Sequence, residues 1–178
     1  FTVEPLVDAG SNVLRLQGWT PWQLDDVWPG VTDGPWLSFL LYLLFFDLVD
    51  YAVHRAQHRF EPWWRLHALH HSQRQLTMWS DNRNHLLDDL LRDVVVVVLA
   101  QLVGVGPGQF VAIVAVTQLV ESLSHANLRL DFGPVLGRLV VSPAFHRRHH
   151  AIGVAGRAQG RSGGFVTHNY AALFAFWD

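Results

Sequence analysis

Eight of the eleven histidines in this 178-residue sequence fall into three short strings: His54-Arg55-Ala56-Gln57-His58, His67-Ala68-Leu69-His70-His71 and His146-Arg147-Arg148-His149-His150. Positions three or four apart on a helix share a face, so each string aims its imidazoles at one point and makes a chelating unit. One such pair alone is more often an ordinary hydrogen-bonded pair; three strings in one chain reverse that balance. Without a metal, imidazoles packed side by side compete for hydrogen-bond donors, and protonating them sets like charges together. A metal removes both problems. A catalytic zinc is held by roughly three histidines and a water, so eight clustered histidines imply two ions. Neutral nitrogen donors suit iron, zinc, copper or nickel and exclude oxygen-ligated calcium or magnesium sites.

Other residues stand where they could support these ligands. Asp47 and Asp50 lie on the helical stripe that leads to His54, and Glu121 is four residues before His125. Each could orient a ring or balance metal charge, as could Asp81, Asp88 and Asp89, although a single carboxylate is more often a solvated cap or an arginine partner. His125 ends an apolar segment one turn after Glu121, which delivers it to the same side as His54 and His67.

Composition narrows the chemistry. The chain has no cysteine, which excludes disulfides, thiolate zinc, cysteine-ligated iron–sulfur clusters and a cysteine nucleophile. All thirteen basic residues are arginine, so a Schiff-base lysine and a phosphate-loop lysine are excluded too. A formal charge of −2 offers no basic field for nucleic acid. With no Gly-x-Gly-x-x-Gly string and no room for a haem domain, any electrons must come from a separate donor protein. The sequence starts at Phe1 without methionine and stops at Asp178 without a polar tail, which reads as a domain trimmed at both ends.

The elements that must position the histidines are mostly apolar. Residues 1–35 read as an irregular segment whose Trp19, Trp22 and Trp28, with Trp36, suit a membrane–water interface or a surface lid. Residues 36–46 are apolar on every side and read as a buried or lipid-facing helix that continues through Asp47, Asp50, His54 and His58. Residues 94–120 carry no charge, but Gly104-Val105-Gly106-Pro107-Gly108 breaks them into a helical hairpin, with arms of roughly Leu86 to Val103 and Gln109 to Ser124. Pro143 precedes a histidine-rich helix, and a loop with Gly153, Gly156, Gly160, Gly163 and Gly164 follows. A mean hydropathy of only +0.16 argues for a few lipid-facing helices under a large polar cap. The expected fold is all-α: a single domain over residues 1–178, a membrane-embedded helical bundle with an apolar hairpin and a histidine-rich cap holding two metals. That membrane setting favours iron, because a nitrogen-ligated iron pair with open positions can activate oxygen against an inert lipid C–H bond.

His-x-x-x-His, His-x-x-His-His-Ser and Pro-x-x-His-x-x-His-His, in that order around an apolar hairpin, resemble the fatty acid hydroxylase/sterol desaturase superfamily of membrane di-iron enzymes. Trp64-Arg65, Ser72, His125-Ala126-Asn127, Asn169-Tyr170 and Trp177-Asp178 resemble it as well, so the likeness runs from about Asp47 to Asp178. It implies hydroxylation or desaturation of a lipid with O2 as co-substrate. It also implies two Fe, replaceable by zinc on overproduction, and a metal site at the cytoplasmic face. The arginines among the histidine strings agree with that face. The metal ligands expected are His54, His58, His67, His70, His71, His125, His146, His149 and His150. Asp47, Asp50 and Glu121 are expected in support. Two segments depart from the superfamily pattern: Leu86 replaces proline after Arg83-Asn84-His85, and Thr167-His168-Asn169-Tyr170-Ala171 has histidine for an acid and alanine for glycine. His85 and His168 are accordingly expected to influence the site without binding metal. Trp79, Phe110 and Phe132 are expected to line the substrate tunnel. Competing readings are a bis-histidine haem protein, a zinc-dependent membrane hydrolase, which lacks a His-Glu-x-x-His string, and a structural fragment with a relic site.

Overall fold

The computed structural model describes residues 9, 12, 13, 15–151 and 168–178; the glycine-rich loop expected after His150 lies outside the described residues. The described residues are helical and contain no strand. They form α1 (Leu24–Val27), α2 (Pro35–Arg59), α3 (Glu61–His67), α4 (Leu86–Leu102), α5 (Pro107–Ser124), α6 (Gly133–Leu136) and α7 (Pro143–His149). Short 3-10 turns occupy Val31–Asp33, His70–Ser72, Met78–Asn82 and Ala175–Trp177. The chain divides into two compact units, Phe1–Phe46 with Leu90–Ala115, and Asp47–Asp89 with Val116–Asp178.

The first unit is apolar. Helix α2 opens on Pro35, whose fixed φ and missing N–H suit a first helical position. No glycine or further proline interrupts it to Arg59. Tyr42, Leu43 and Phe46 are buried; Phe46 meets Phe110 edge-on at 5.7 Å, and Gln109 Nε2 donates to Ser38 Oγ at 2.7 Å. The hairpin turn forms at the expected glycines. Gly104 takes φ +62°, a left-handed conformation that glycine adopts without penalty, and Pro107 then starts α5.

At 25 residues and about 1.5 Å per residue, α2 is about 37 Å long, and it is the one helix among the described residues long and apolar enough to cross a membrane. Helices α4 and α5, of 17 and 18 residues, do not combine that length and apolarity. Their outward faces are nonetheless apolar. Leu86, Leu87, Leu90, Leu91, Val94, Val98 and Leu102 on α4 are exposed at helical spacing, as are Val111, Val114, Leu119 and Leu123 on α5. A helix bathed in water shows the opposite pattern.

The second unit carries the polar stripe of α2 and all three histidine strings. Helix α7 begins at Pro143 behind Ser142, whose Oγ accepts from Phe145 N at 3.2 Å in an N-cap. A small core of Val141, Ala171 and Ala175, with Tyr51 and Phe145 against it, seats the C-terminal segment. The middle histidine string is not one helix. Helix α3 stops at His67, and His70 and His71 ride on the 3-10 turn that follows.

Candidate metal centre

Nine histidines gather in the second unit as two groups: His54, His58, His67, His71 and His149, and His70, His125, His146 and His150. Within each group one ring nitrogen per residue lies within 4.8 Å of the others. The strings do not each point at one place, as their spacing suggested. His67 and His71 enter the first group while His70 enters the second; His146 and His150 enter the second while His149 returns to the first. On α2 and α7, neighbouring residues diverge by about 100°, so His149 turns away from His146 and His150 while the pairs four apart stay aligned.

The hydrogen bonds behind the rings fix where the protons sit. His54 Nδ1 lies 2.7 Å from the Tyr170 carbonyl oxygen and His149 Nδ1 3.1 Å from that of His168. His67 Nδ1 lies 2.9 Å from Asp88 Oδ2. A carbonyl or carboxylate oxygen can only accept, so in each case Nδ1 carries the hydrogen and Nε2 presents a bare lone pair. Those three Nε2 atoms are buried, belong to one group, and have no hydrogen-bond partner. Both ring nitrogens of His58 and of His71 are in the same condition.

The second group is tighter. His125 Nε2 is 3.1 Å from His70 Nε2 and 3.0 Å from His146 Nε2, and His150 Nε2 is 3.0 Å from His146 Nε2. His125 Nδ1 donates to the Glu121 carbonyl at 2.8 Å, which again turns a lone pair inward. Contacts of this length bring the four ring nitrogens close enough to share one ion.

Burial also keeps these rings neutral. It pushes His70, His71, His146 and His150 well below the usual histidine range, and the charge each neighbour would carry pushes the same way. His149 is held down to about 3, chiefly by burial and against the pull of the His168 carbonyl. Burial lowers His125 as well, opposed by the Glu121 carbonyl and by Asp81. A neutral imidazole is the form that binds metal.

Of the carboxylates weighed as supports, Asp88 and Asp81 stand against histidine rings. Asp88 gathers three donors, Gln57 Nε2 and Trp63 Nε1 at 2.8 Å on one oxygen and His67 on the other. Asp81 stands 3.6 Å from His125 Nδ1 and accepts from Ser122 Oγ at 3.0 Å and from Gln118. Glu121 serves His125 through its main chain, and Asp47 bonds no histidine but holds the C-terminal segment. Asp50 is buried on the same stripe of α2. His85 is exposed and accepts from Leu87 N, and the His168 ring is exposed while its carbonyl serves His149. Trp79, expected to line a tunnel, is 83% exposed. The Tyr170 and His168 carbonyls left no trace in the sequence, because every residue has one.

Comparison with known proteins agrees with the likeness carried by the histidine strings. A family model described as fatty acid hydroxylase matches residues 39–178. The chain is 30% identical over 153 residues to ornithine lipid hydroxylase OlsE of Rhizobium tropici, covering 86% of this chain and 42% of that protein. It is 27% identical over 161 residues to an alkylglycerol monooxygenase of Caenorhabditis elegans, covering 90% of this chain and 28% of the relative. It is 29% identical over 142 residues to a Delta(7)-sterol 5(6)-desaturase, ERG3B, of Gibberella zeae, covering 80% and 40%. The chain thus spans less than half the length of these relatives. No solved structure matches it significantly.

Proposed function

The chain belongs to the fatty acid hydroxylase family, and from that premise we propose that it oxidises a lipid C–H bond, with molecular oxygen, at two histidine-held iron ions. One observation carries the reading. The Nε2 lone pairs of His54, His67 and His149 converge, buried and without a donor, in a group beside a second knot of four histidines. Unpaired buried nitrogens are costly, at about 1–3 kcal/mol each, and a cation satisfies several at once. The donor set fits two ions: His54, His58, His67, His71 and His149 for one, and His70, His125, His146 and His150 for the other. Iron in such a nitrogen set supplies one-electron and O2 chemistry, which redox-inert zinc does not.

The chain's own residues prepare the site. Asp88, Glu121 and the C-terminal carbonyls set the tautomers, burial keeps the rings neutral, and the enclosing helices exclude bulk water. Haem would require two imidazoles on opposite sides of a macrocycle, whereas rings whose nitrogens lie within 4.8 Å of one another leave no space for one.

We place the protein in a membrane, with α2 as a span and the apolar outer faces of α4 and α5 toward lipid. Only Arg15 and Arg92 among the thirteen arginines belong to the unit without histidines. The positive-inside bias therefore favours the metal centre at the cytoplasmic face. The relatives' names span an ornithine lipid, an alkylglycerol and a sterol, so the proposed substrate is a lipid, and electrons are proposed to come from a separate donor protein.

The test is oxidation under 18O2 by full-length, iron-loaded protein with a reductase system and a membrane lipid extract. Incorporation of label into a lipid, or an O2-dependent loss of two hydrogens, is the expected result. Lipid hydrolysis independent of O2, or no turnover with two irons bound, would overturn the proposal.

A further inference from the structure

The C-terminal residues 168–178 reach the metal centre through two main-chain carbonyls and the Tyr170 ring, which packs 5.2–5.8 Å from the rings of His54, His58 and His149. Their placement depends on a carboxylate that bonds no histidine. Asp47 is fully buried two helical turns before His54. Its Oδ1 accepts from Leu173 N at 2.9 Å, and its Oδ2 accepts from Phe174 N at 3.0 Å and from Trp177 Nε1 at 2.7 Å. Asp178 accepts from Tyr170 N at 3.0 Å and Ala171 N at 2.9 Å. Between the two carbonyls, Asn169 adopts φ 61°, a left-handed conformation that asparagine tolerates, and its Nδ2 donates to the Phe145 carbonyl at 3.0 Å.

We propose that Asp47 is a positioning residue for one of the two metals only: it holds the C-terminal segment so that the His168 and Tyr170 carbonyls fix the protons of His149 and His54. This rests on the two-metal reading above. The selectivity follows from the division of ligands. His54 and His149 both belong to the five-histidine group. In the four-histidine group, His125 is oriented by the Glu121 carbonyl, and the close Nε2 contacts link the four rings to one another rather than to residues 168–178. A loosened segment frees the His54 and His149 rings to rotate or to move their proton to Nε2, which removes lone pairs from one site and leaves the other untouched.

In an asparagine at position 47 one oxygen must serve three donors, and an amide N–H group confronts at least one of them. The experiment is equilibrium dialysis of the full-length protein against Co(II), whose visible spectrum also reports imidazole ligation. Wild type should bind two ions. Asp47→Asn should bind one ion as wild type does and the other about 10–100-fold more weakly, as loss of outer support for a metal-bound histidine generally does. Placed on a His146→Ala background, which cripples the four-histidine site, Asp47→Asn should weaken the remaining tight binding by the same factor of about 10–100. On a His71→Ala background it should change nothing further. Asp178→Asn and Asn169→Gly, which keeps the left-handed backbone but drops the side-chain bond, should weaken the same ion. They carry the test if Asp47→Asn does not fold. Equal weakening of both ions, or no weakening in any of the three variants, would overturn the proposal. Failure of wild type to bind two ions would refute the two-metal reading instead.

Discussion

Replacing Asp88 by asparagine separates metal binding from folding. Asp88 Oδ1 accepts from Gln57 Nε2 and Trp63 Nε1 at 2.8 Å, and Oδ2 accepts from His67 Nδ1 at 2.9 Å. The two donors hold the asparagine oxygen on their side, so its NH2 faces His67. Two N–H groups cannot bond, and His67 relieves the conflict by carrying its proton on Nε2, which points into the five-histidine group and cancels a lone pair. The expected loss of affinity for that ion is about 10–100-fold, or about 1.4–2.7 kcal/mol. Stability should fall less, by about 1 kcal/mol, because the bonds from Gln57 and Trp63 survive and the third only reverses its direction. Asp88→Ala strands all three donors, at about 1–3 kcal/mol each, and should mainly unfold. Metal titration and thermal melting of the full-length variants, side by side, make the measurement. An asparagine variant that binds both ions as tightly as wild type but melts far lower would refute the reasoning and reduce Asp88 to a packing residue.

Four further outcomes are expected. His149→Ala should lose metal and activity together, because the neighbouring rings are fixed and cannot fill the vacancy; full activity with both ions retained would contradict its role. His125→Ala should likewise release an ion, measured by elemental analysis of the purified variant. His85→Ala and His168→Ala should keep both ions, since the first ring is exposed outside both groups and the second serves through a carbonyl that alanine retains; an emptied site in either contradicts this. The metal-free protein should lose stability on acidification. His149 takes up a proton near 6.5 when unfolded but only at about 3 when folded, so the unfolded state gains protons first and melting temperature falls from about pH 6.5 downward, levelling above it. A melting temperature unchanged between pH 7 and 5 would contradict the buried, neutral centre.

Much of this was legible in the sequence, for identifiable reasons. Histidines at four-residue spacing announce a shared face, Gly104 and Pro107 announce the hairpin turn, and Pro143 announces the start of α7. Spacing cannot tell which face of one string meets which face of another, so the exchange of His70 and His149 between the two groups was hidden. The roles of Asp47 and of the two C-terminal carbonyls were hidden more deeply, because they join positions up to 130 residues apart through groups that leave no sequence pattern. The hairpin arms formed as helices of 17 and 18 residues with apolar outward faces.

Two irons held by nine histidines are read most directly from the metal content of full-length protein, loaded with ferrous iron without oxygen and freed of loose metal. Two irons per chain are expected, both lost from a variant lacking His149 and His146 together. One iron per chain, or none, in folded protein would contradict the two-metal reading.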